Sequence, residues 1–368
     1  MKDYIVLTLN PGSTSMKIGL YKNEEKLFVS NLDLPTDVIA KFTGARDQFY
    51  YRKKLVVGEV ITHGYRMEDI SVFLARCGGM VPCASGVYAV NDLLLEANGL
   101  DKTGTTPQAT GCHFVKEFFA EYGGAGYVIN DAAVDEFVDV ARVTGLKGVW
   151  RESYSHCLNQ KAAGELAAKA CGSAYDRMNM IVAHLGGGIS IGAHRQGRII
   201  DTSNLFGEGP MSPTRTGAIP LGSILMLLAE GKTSVKELFG LVLRHGGGLL
   251  HHLGTADGRE VEAWIQNGDA YAELIYDGMI YQIGQTIAKM AASLEGKVDC
   301  IVMTGGLSHS KRIQEGVKKY CGWIAPIDVF AGEYETESMV NAALRVMRGE
   351  ENVKEYTAIP TFDPKRFQ

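Results

Sequence analysis

The chain reads as an α/β protein of two domains built on one repeated plan. Three observations predict this. At 368 residues it is too long for one ordinary core. A pattern of strand, small-residue tip, strand, polar turn and strand opens the chain and returns about half a chain later. Apolar strands that run into Gly-rich tips alternate with helix-length segments, the signature of sheets flanked by helices. Composition agrees: 46% hydrophobic and 21% charged residues describe a globular protein. A net charge of −5 without a basic block argues against a nucleic-acid partner. No uncharged apolar run is long enough for a membrane span, and no signal-peptide pattern opens the chain. The seven cysteines lack Cys-x-x-Cys spacing and read as reduced thiols of a cytoplasmic protein.

The opening strand is the β-branched run 4–9, followed by the tip Asn10-Pro11-Gly12-Ser13-Thr14-Ser15 and a second, alternating strand over 16–21. Backbone N–H groups and hydroxyls at such a tip can wrap a phosphate, with Lys17 as a point charge at its edge. An ordinary hairpin needs the same small residues, so the tip alone does not decide. A Lys22-Asn23 turn leads to a strand over 25–32. Residues 35–50 look helical despite Gly44, and 55–62 looks like a strand. Arg76 stands in a Gly-rich turn over 75–82, either a solvated charge or a bidentate anion ligand. A helix over 107–122 precedes a strand over 126–131 that ends on the carboxylate Asp131. The helix over 155–171 crowds His156, Asn159, Gln160 and Lys161 at its N-terminal end, which suits a site there.

The plan then repeats. A strand over 178–183 runs into the tip His184-Leu185-Gly186-Gly187-Gly188-Ile189-Ser190, followed by strands over 191–194 and 198–201 around a Gln196-Gly197 turn. Two phosphate-cradling tips in matching contexts suggest a nucleotide between two duplicated halves. The Gly- and Pro-bearing stretch 201–221 is long for a structureless loop, and Arg215 is its one basic residue, a second candidate anion clamp. Helices are expected over 221–230, 234–244 and 270–294. His251 and His252 lack metal-ligand spacing. A strand over 299–304 enters Gly305-Gly306 and a helix near Ser308, a junction where a nucleotide can lie against backbone. Glu333, Glu335 and Glu337 open a last helix, where acids favour the N-terminal dipole or one of them holds Mg²⁺.

Taken together, the 10–15 tip with Lys17, the 184–190 tip, Gly207-Glu208-Gly209-Pro210 with Ser212-Pro213 and Arg215, and Thr304-Gly305-Gly306-Leu307 resemble the acetokinase family, in its butyrate-kinase branch. The likeness runs from about residue 4 to 356 in the family's order. Pro11, Thr14, Gly187 and Ile189 side with that branch against the acetate-kinase pattern. The resemblance implies a duplicated actin-like (ribonuclease H-like) ATPase fold, two mixed β-sheet domains flanked by helices with an inter-domain nucleotide cleft. It places the first domain at 1–155 with helix 333–348 packing back on it, the nucleotide-binding domain at 156–332, and a surface tail at 349–368.

It further implies reversible, in-line transfer of a phosphoryl group from Mg-ATP to a short-chain carboxylate, giving acyl phosphate and ADP. Acetate or propionate kinase, or a sugar-kinase-like hydroxyl phosphotransferase, are the alternatives. By match to the family's motifs, Asn10, Ser13, Thr14, Ser15 and Lys17 form the first phosphate loop, with Asn10 and Glu337 near Mg²⁺. Asp131 matches the catalytic-site aspartate, His156 and Arg215 the pair on the transferring phosphoryl, and Arg76 the arginine at the acyl carboxylate. His184, Gly186, Gly187 and Gly188 match the second phosphate loop, and Gly305 and Gly306 the adenosine loop. The implied partners are a short-chain acid and its acyl phosphate, further copies of the chain in a homodimer or higher oligomer, and a phosphotransacylase as metabolic partner. Two positions depart from the family pattern, Cys77 after Arg76 and Thr214 before Arg215.

Overall fold

The structure, a computed structural model, describes residues 3–12, 15–42, 44–102, 105–129, 132–204, 207–243 and 246–367. Two compact units result, Met1–Asp135 with Tyr334–Gln368, and Glu136–Glu333.

The first unit carries strands β1 (Ile5–Pro11), β2 (Ser15–Lys22), β3 (Glu25–Asp33), β4 (Val72–Arg76), β5 (Val87–Ala89) and β6 (Ala125–Ile129). Their order in the sheet is β3-β2-β1-β4-β6-β5. β1 pairs antiparallel with β2 but parallel with β4, and β6 runs parallel to β4. β1 is buried along nearly its whole length, as a strand covered on both faces must be. Helices α1 (Thr36–Ile39), α2 (Ala45–Thr62), α3 (Asp92–Ala97) and α4 (Gly111–Tyr122) belong to this unit. α4 sinks Phe114, Val115 and Phe118 into the core with Leu7, Ile18 and Phe73. The C-terminal helix (Glu335–Met347) buries Met339, Val340, Ala343 and Leu344, and packs on β1 and β4.

The second unit repeats the plan with β7 (Asn179–Leu185), β8 (Ile189–Arg195), β9 (Arg198–Thr202), β10 (Cys300–Gly305) and β11 (Ile327–Ala331). Their order is β11-β10-β7-β8-β9, with β7–β8–β9 an antiparallel meander and β10 and β11 parallel to β7. The repetition extends to irregularities. The second strand of each meander carries a register shift, at Leu20/Tyr21 and at Ala193/His194. The following turns each use a left-handed residue, Asn23 (φ 52°) and Gln196 (φ 50°). Helices α5 (Cys157–Ala170), α6 (Leu221–Ala229), α7 (Val235–Leu243), α8 (Gly248–Leu253), α9 (Gly258–Gln266), α10 (Ala270–Ser293) and α11 (Lys311–Cys321) complete the unit. α5 lays Ala163, Ala167 and Ala168 against the side chains of Met180, Val182 and Val302. Tyr276, Met279, Ile283, Ile287 and Met290 line one helical face of α10 and pack on the other side of the sheet. The fold is thus α/β, two mixed sheets each flanked by helices.

Three expectations are corrected. Residues 55–62 are not a strand but the second half of α2, whose buried positions Phe49, Arg52, Val56 and Val60 recur at helical spacing. The arginine in that stripe hid the period. Residues 136–155, expected in the first domain, cluster with the second unit. They are tied there by Arg151, which binds Asp201 and Glu208, each at 2.9 Å, and by Glu136, which accepts from Lys161 and from the Ile199 N–H. The 349–368 tail does not merely cover the surface. Lys354 exchanges backbone hydrogen bonds with Val87 and Ala89 at the sheet edge, and Tyr356 is buried in the core beside it. Among the described residues, no helix is long and apolar enough to cross a membrane.

Candidate functional site

In the first unit, several candidate site side chains gather where β1 and β4 end. Asn10 faces Lys17 across the β1–β2 pair, and the tip closes with the Gly12 N–H donating to the Ser15 carbonyl at 2.9 Å. The same carbonyl accepts from the buried Arg52 at 3.1 Å, so the tip is held from beneath. Arg76 is the last residue of β4, next to β1, and its Nη1 donates to Asn10 Oδ1 at 3.2 Å. Asn10 Nδ2 in turn donates to Glu335 at the start of the C-terminal helix. Arginine, amide and carboxylate therefore form one connected group at the C-terminal ends of parallel strands, where α/β sheets place their chemistry. Lys17 and Ser15 are half-buried on β2. Ser13, Thr14 and Asp131 lie outside the described residues.

Glu337, the expected carboxylate near Mg²⁺, does not join this group. It is partly exposed and pairs with Lys26 at 2.8 Å. Burial raises its pKa, but hydrogen bonds from Lys26 and Thr336 outweigh that and leave it lowered. Glu335, two residues earlier, is buried and bonded to Asn10. A helix advances about 100° per residue, so a shift of two moves the side chain to nearly the opposite face. Both acids suit a helix N-terminus, so residue type did not separate them and the choice of Glu337 rested on the family resemblance alone.

In the second unit, Arg215 lies directly over the second tip. A methyl group added at Gly188 would stand 2.0 Å from Arg215 Nη1 and 3.4 Å from His156 Cε1, so only glycine leaves room for both. The loop of Arg215 is clamped to the tip. The carbonyl of Gly187 accepts from Ser212 Oγ at 2.9 Å, Thr214 Oγ1 at 2.8 Å and the Thr214 N–H at 3.2 Å. Thr214 is therefore a structural clamp, which accounts for a hydroxyl residue beside that arginine. Burial lowers the pKa of Arg215 from the usual arginine value. A desolvated guanidinium so close to backbone is a strong anion ligand. Cys77 is buried with its thiol turned to the Gly78 and Ala109 carbonyls, toward the core.

His156 caps α5 and stacks on His184, with ring centroids 3.9 Å apart and planes 16° from parallel. Asn159, fully buried, holds His184 Nδ1 at 2.8 Å and Thr304 Oγ1 at 3.2 Å. Gly305, at φ 88°, is forced to be glycine because a Cβ would meet the Leu185 carbonyl oxygen at 2.4 Å. Gly306 has open space around it and, with Gly186, Gly187, Leu307, Glu262 and Tyr276, lines a cavity of about 1010 Å³. Glu262 is anchored there by the hydroxyls of Tyr276 and Ser310. The cavity is large enough for a nucleoside and opens beside the glycine tip, an arrangement that suits a nucleotide triphosphate. A second cavity, of about 650 Å³ in the first unit, has none of the predicted site residues in its walls.

The donors at the first tip fit Mg²⁺. This cation takes one or two protein carboxylates together with substrate phosphates and water. The Glu335 carboxylate beside the Asn10 amide could supply oxygens of the right kind, with Asn10 Oδ1 turned to Arg76 and Nδ2 to Glu335 as the chain stands. Sequence reasoning held Glu335 among three candidate acids, and the match to the family's motifs then favoured Glu337 over it. It did single out Asn159 and Gln160, because polar residues crowded one end of a helix.

Comparison with known proteins gives a consistent result. Residues 143–322 match the model of the acetokinase family. A probable butyrate kinase of Clostridium botulinum is 37% identical over 354 residues, 96% of this chain and 99% of that protein. The acetate kinase of Porphyromonas gingivalis superposes with a TM-score of 0.73 at 20% identity, over 94% of this chain and 100% of that one. A propionate kinase of Francisella tularensis gives a TM-score of 0.73 at 20% identity, over 92% and 98%. With a near-full-length relative at that identity and the same architecture, the chain belongs to the acetokinase family.

Proposed function

We propose that this protein transfers the γ-phosphoryl group of ATP to the carboxylate of a short acid, butyrate or a branched acid of four or five carbons. The products are an acyl phosphate and ADP, and the reaction runs in both directions. The observation that carries the reading is the half-buried, partly desolvated Arg215 guanidinium seated on Gly188 beside His156. The near-full-length likeness to a probable butyrate kinase supports the choice of acid.

The chemistry needs little from the protein beyond placement. A carboxylate is ionised at neutral pH, so no general base is required. Transfer then depends on alignment and on neutralising the equatorial phosphoryl oxygens. Arg215 and His156 would hold those oxygens, and Arg76 the acyl carboxylate. Asp131 would orient rather than deprotonate. The glycine backbone of 186–188, with His184, would cradle the nucleotide phosphates, and Gly305 and Gly306 would let the adenosine lie against backbone. Lys17, Ser13, Thr14 and Ser15 would supply further donors to the phosphates. Asn10 and Glu335 would hold Mg²⁺, which supplies charge neutralisation and templating of the phosphates when bound.

The assembly is proposed to be a homo-oligomer. α6 and α7 bury no residue, and Leu221, Leu225, Met226, Val235 and Phe239 stand exposed on them. All seven cysteines are free, which supports a reducing cytoplasmic setting. In the ATP-forming direction a phosphotransacylase would supply the acyl phosphate. The decisive assay incubates the protein with Mg-ATP, hydroxylamine and a panel of two- to six-carbon acids, straight and branched. Only an acyl phosphate yields a hydroxamate. Highest kcat/KM with four- or five-carbon acids is expected. Phosphorylation of a hydroxyl compound without any hydroxamate would overturn the reading.

A further inference from the structure

Behind His156 lies a buried chain of hydrogen bonds that the reaction does not require but that leaves one assignment of its hydrogens. The elements that build it are β8 and the first turns of α5. Ser190, Gly192 and His194 alternate along β8 and so share one face of the sheet. Gln160 comes from α5, one turn after His156, and is fully buried. Its Nε2 stands 3.1 Å from the Ser190 carbonyl oxygen and 2.7 Å from Ser190 Oγ.

Each direction follows from what an atom can do. A backbone carbonyl only accepts, so the Gln160 atom facing it is the amide nitrogen, and its two hydrogens go to the carbonyl and to Ser190 Oγ. The backbone N–H of His156 also donates to Ser190 Oγ, at 3.1 Å. A hydroxyl oxygen has two lone pairs, and both are now used. Its single hydrogen is left for His156 Nδ1, which lies 2.9 Å away. Nδ1 therefore accepts, and the hydrogen of a neutral imidazole sits on Nε2.

The far end of the chain keeps Gln160 in place. Gln160 Oε1 accepts from His194 Nε2 at 3.0 Å, and His194 Nδ1 accepts from the Tyr175 hydroxyl at 2.6 Å. Burial keeps His194 neutral, with its pKa pulled down to about 3. Gly192 makes the contact possible, since a Cβ there would fall 2.5 Å from Gln160 Oε1 and 2.9 Å from His194 Nε2. The stacked His184 ring also disfavours both rings carrying charge at once, because two imidazolium rings at that separation repel.

We infer that Gln160, held by His194 and Tyr175, is a positioning residue that sets the tautomer of His156 through Ser190, so that His156 presents Nε2–H. This rests on the proposed function only for what Nε2–H meets, the transferring phosphoryl group. His156 then acts as a neutral hydrogen-bond donor and not as an acid or base.

The test reads the tautomer directly. Long-range ¹H–¹⁵N correlation spectra of ¹⁵N-histidine protein without substrate distinguish a protonated from an unprotonated ring nitrogen, and His156→Asn identifies the signals. The wild-type spectrum is expected to show unprotonated Nδ1 and protonated Nε2. Gln160→Glu keeps the shape but offers acceptors where the amide donated, so Ser190 turns its hydrogen to the introduced carboxylate and Nδ1 loses its donor. That variant is expected to lose the single tautomer and about 10²-fold in kcat, with KM for ATP and acid within about twofold, since wrong-tautomer histidines lose turnover first. Should it not fold, Ser190→Ala removes the same donor without adding charge and is expected to mix the tautomers. A protonated Nδ1 in the wild type overturns the inference, as does a Gln160→Glu protein with unchanged tautomer and kcat. A protein with the expected spectrum that forms no hydroxamate sinks the proposed function and leaves this inference standing.

Discussion

Replacing Gly188 by alanine isolates the placement of Arg215 from its charge. The added methyl would stand 2.0 Å from Arg215 Nη1, far inside contact distance. To reach an ordinary separation of about 3.4 Å the guanidinium must withdraw by about 1.4 Å. The obstruction is the far end of a flexible side chain, so the backbone need not move, and the thermal midpoint should stay within a few degrees. A catalytic group misplaced by about 1 Å costs on the order of 10²-fold in rate, about 2.7 kcal/mol in the barrier. Steady-state hydroxamate kinetics with butyrate should therefore show kcat reduced about 10²-fold. Because the lost interaction belongs to the transferring phosphoryl group, KM for the acid should change little. Arg215→Ala should cost at least as much, about 10²- to 10³-fold. The double variant should be no slower than Arg215→Ala alone, since both changes remove one interaction. A folded Gly188→Ala protein with kcat within about twofold of the wild type would refute the role given to the guanidinium. Additive losses in the double variant would show that the glycine acts through something else.

Glu335→Gln should raise the Mg²⁺ concentration for half-maximal activity about tenfold or more, while Glu337→Gln leaves it within about twofold; a Mg²⁺ titration reversing that order would restore Glu337 as the metal carboxylate. The pH dependence of stability should carry the mark of His194. Burial, with a smaller contribution from Lys161, lowers its folded pKa to about 3 from an ordinary 6.5. Between those values the unfolded chain binds a proton that the folded one does not, so stability falls as pH is lowered through that window. Urea midpoints at pH 7 and pH 4 should therefore differ less in His194→Gln than in the wild type, and an equal difference would remove His194 from the acid limb. Asp substitutions at Leu225 and Met226, exposed side by side on α6, should halve the mass found by light scattering after size exclusion. An unchanged mass would place the contact between copies elsewhere.

Much of the architecture was legible because it is encoded locally. Strand–tip–strand blocks combine short, largely buried apolar runs with small residues at the tip, and both signals lie within about twenty residues of sequence. The duplication could be seen for the same reason, down to the Asn23 and Gln196 turns that the structure gives matching left-handed conformations. The 55–62 helix was illegible because β-branched residues and a buried arginine masked its period. The boundary near 135 was illegible because it depends on Arg151 finding Asp201 and Glu208 some fifty residues away.

By itself the sequence determined the α/β plan, the two glycine tips and the chemical character of the clamp, because glycines, hydroxyls and arginines announce anion binding wherever they cluster. Tertiary structure alone decided which groups meet. It turned Glu335 rather than Glu337 to Asn10. It laid Arg215 across Gly188, and threaded Gln160, Ser190 and His194 into a chain that dictates the hydrogen on His156. Those outcomes turn on helix rotation and on separations of one or two ångströms between residues distant in sequence. No local pattern carries information of that kind.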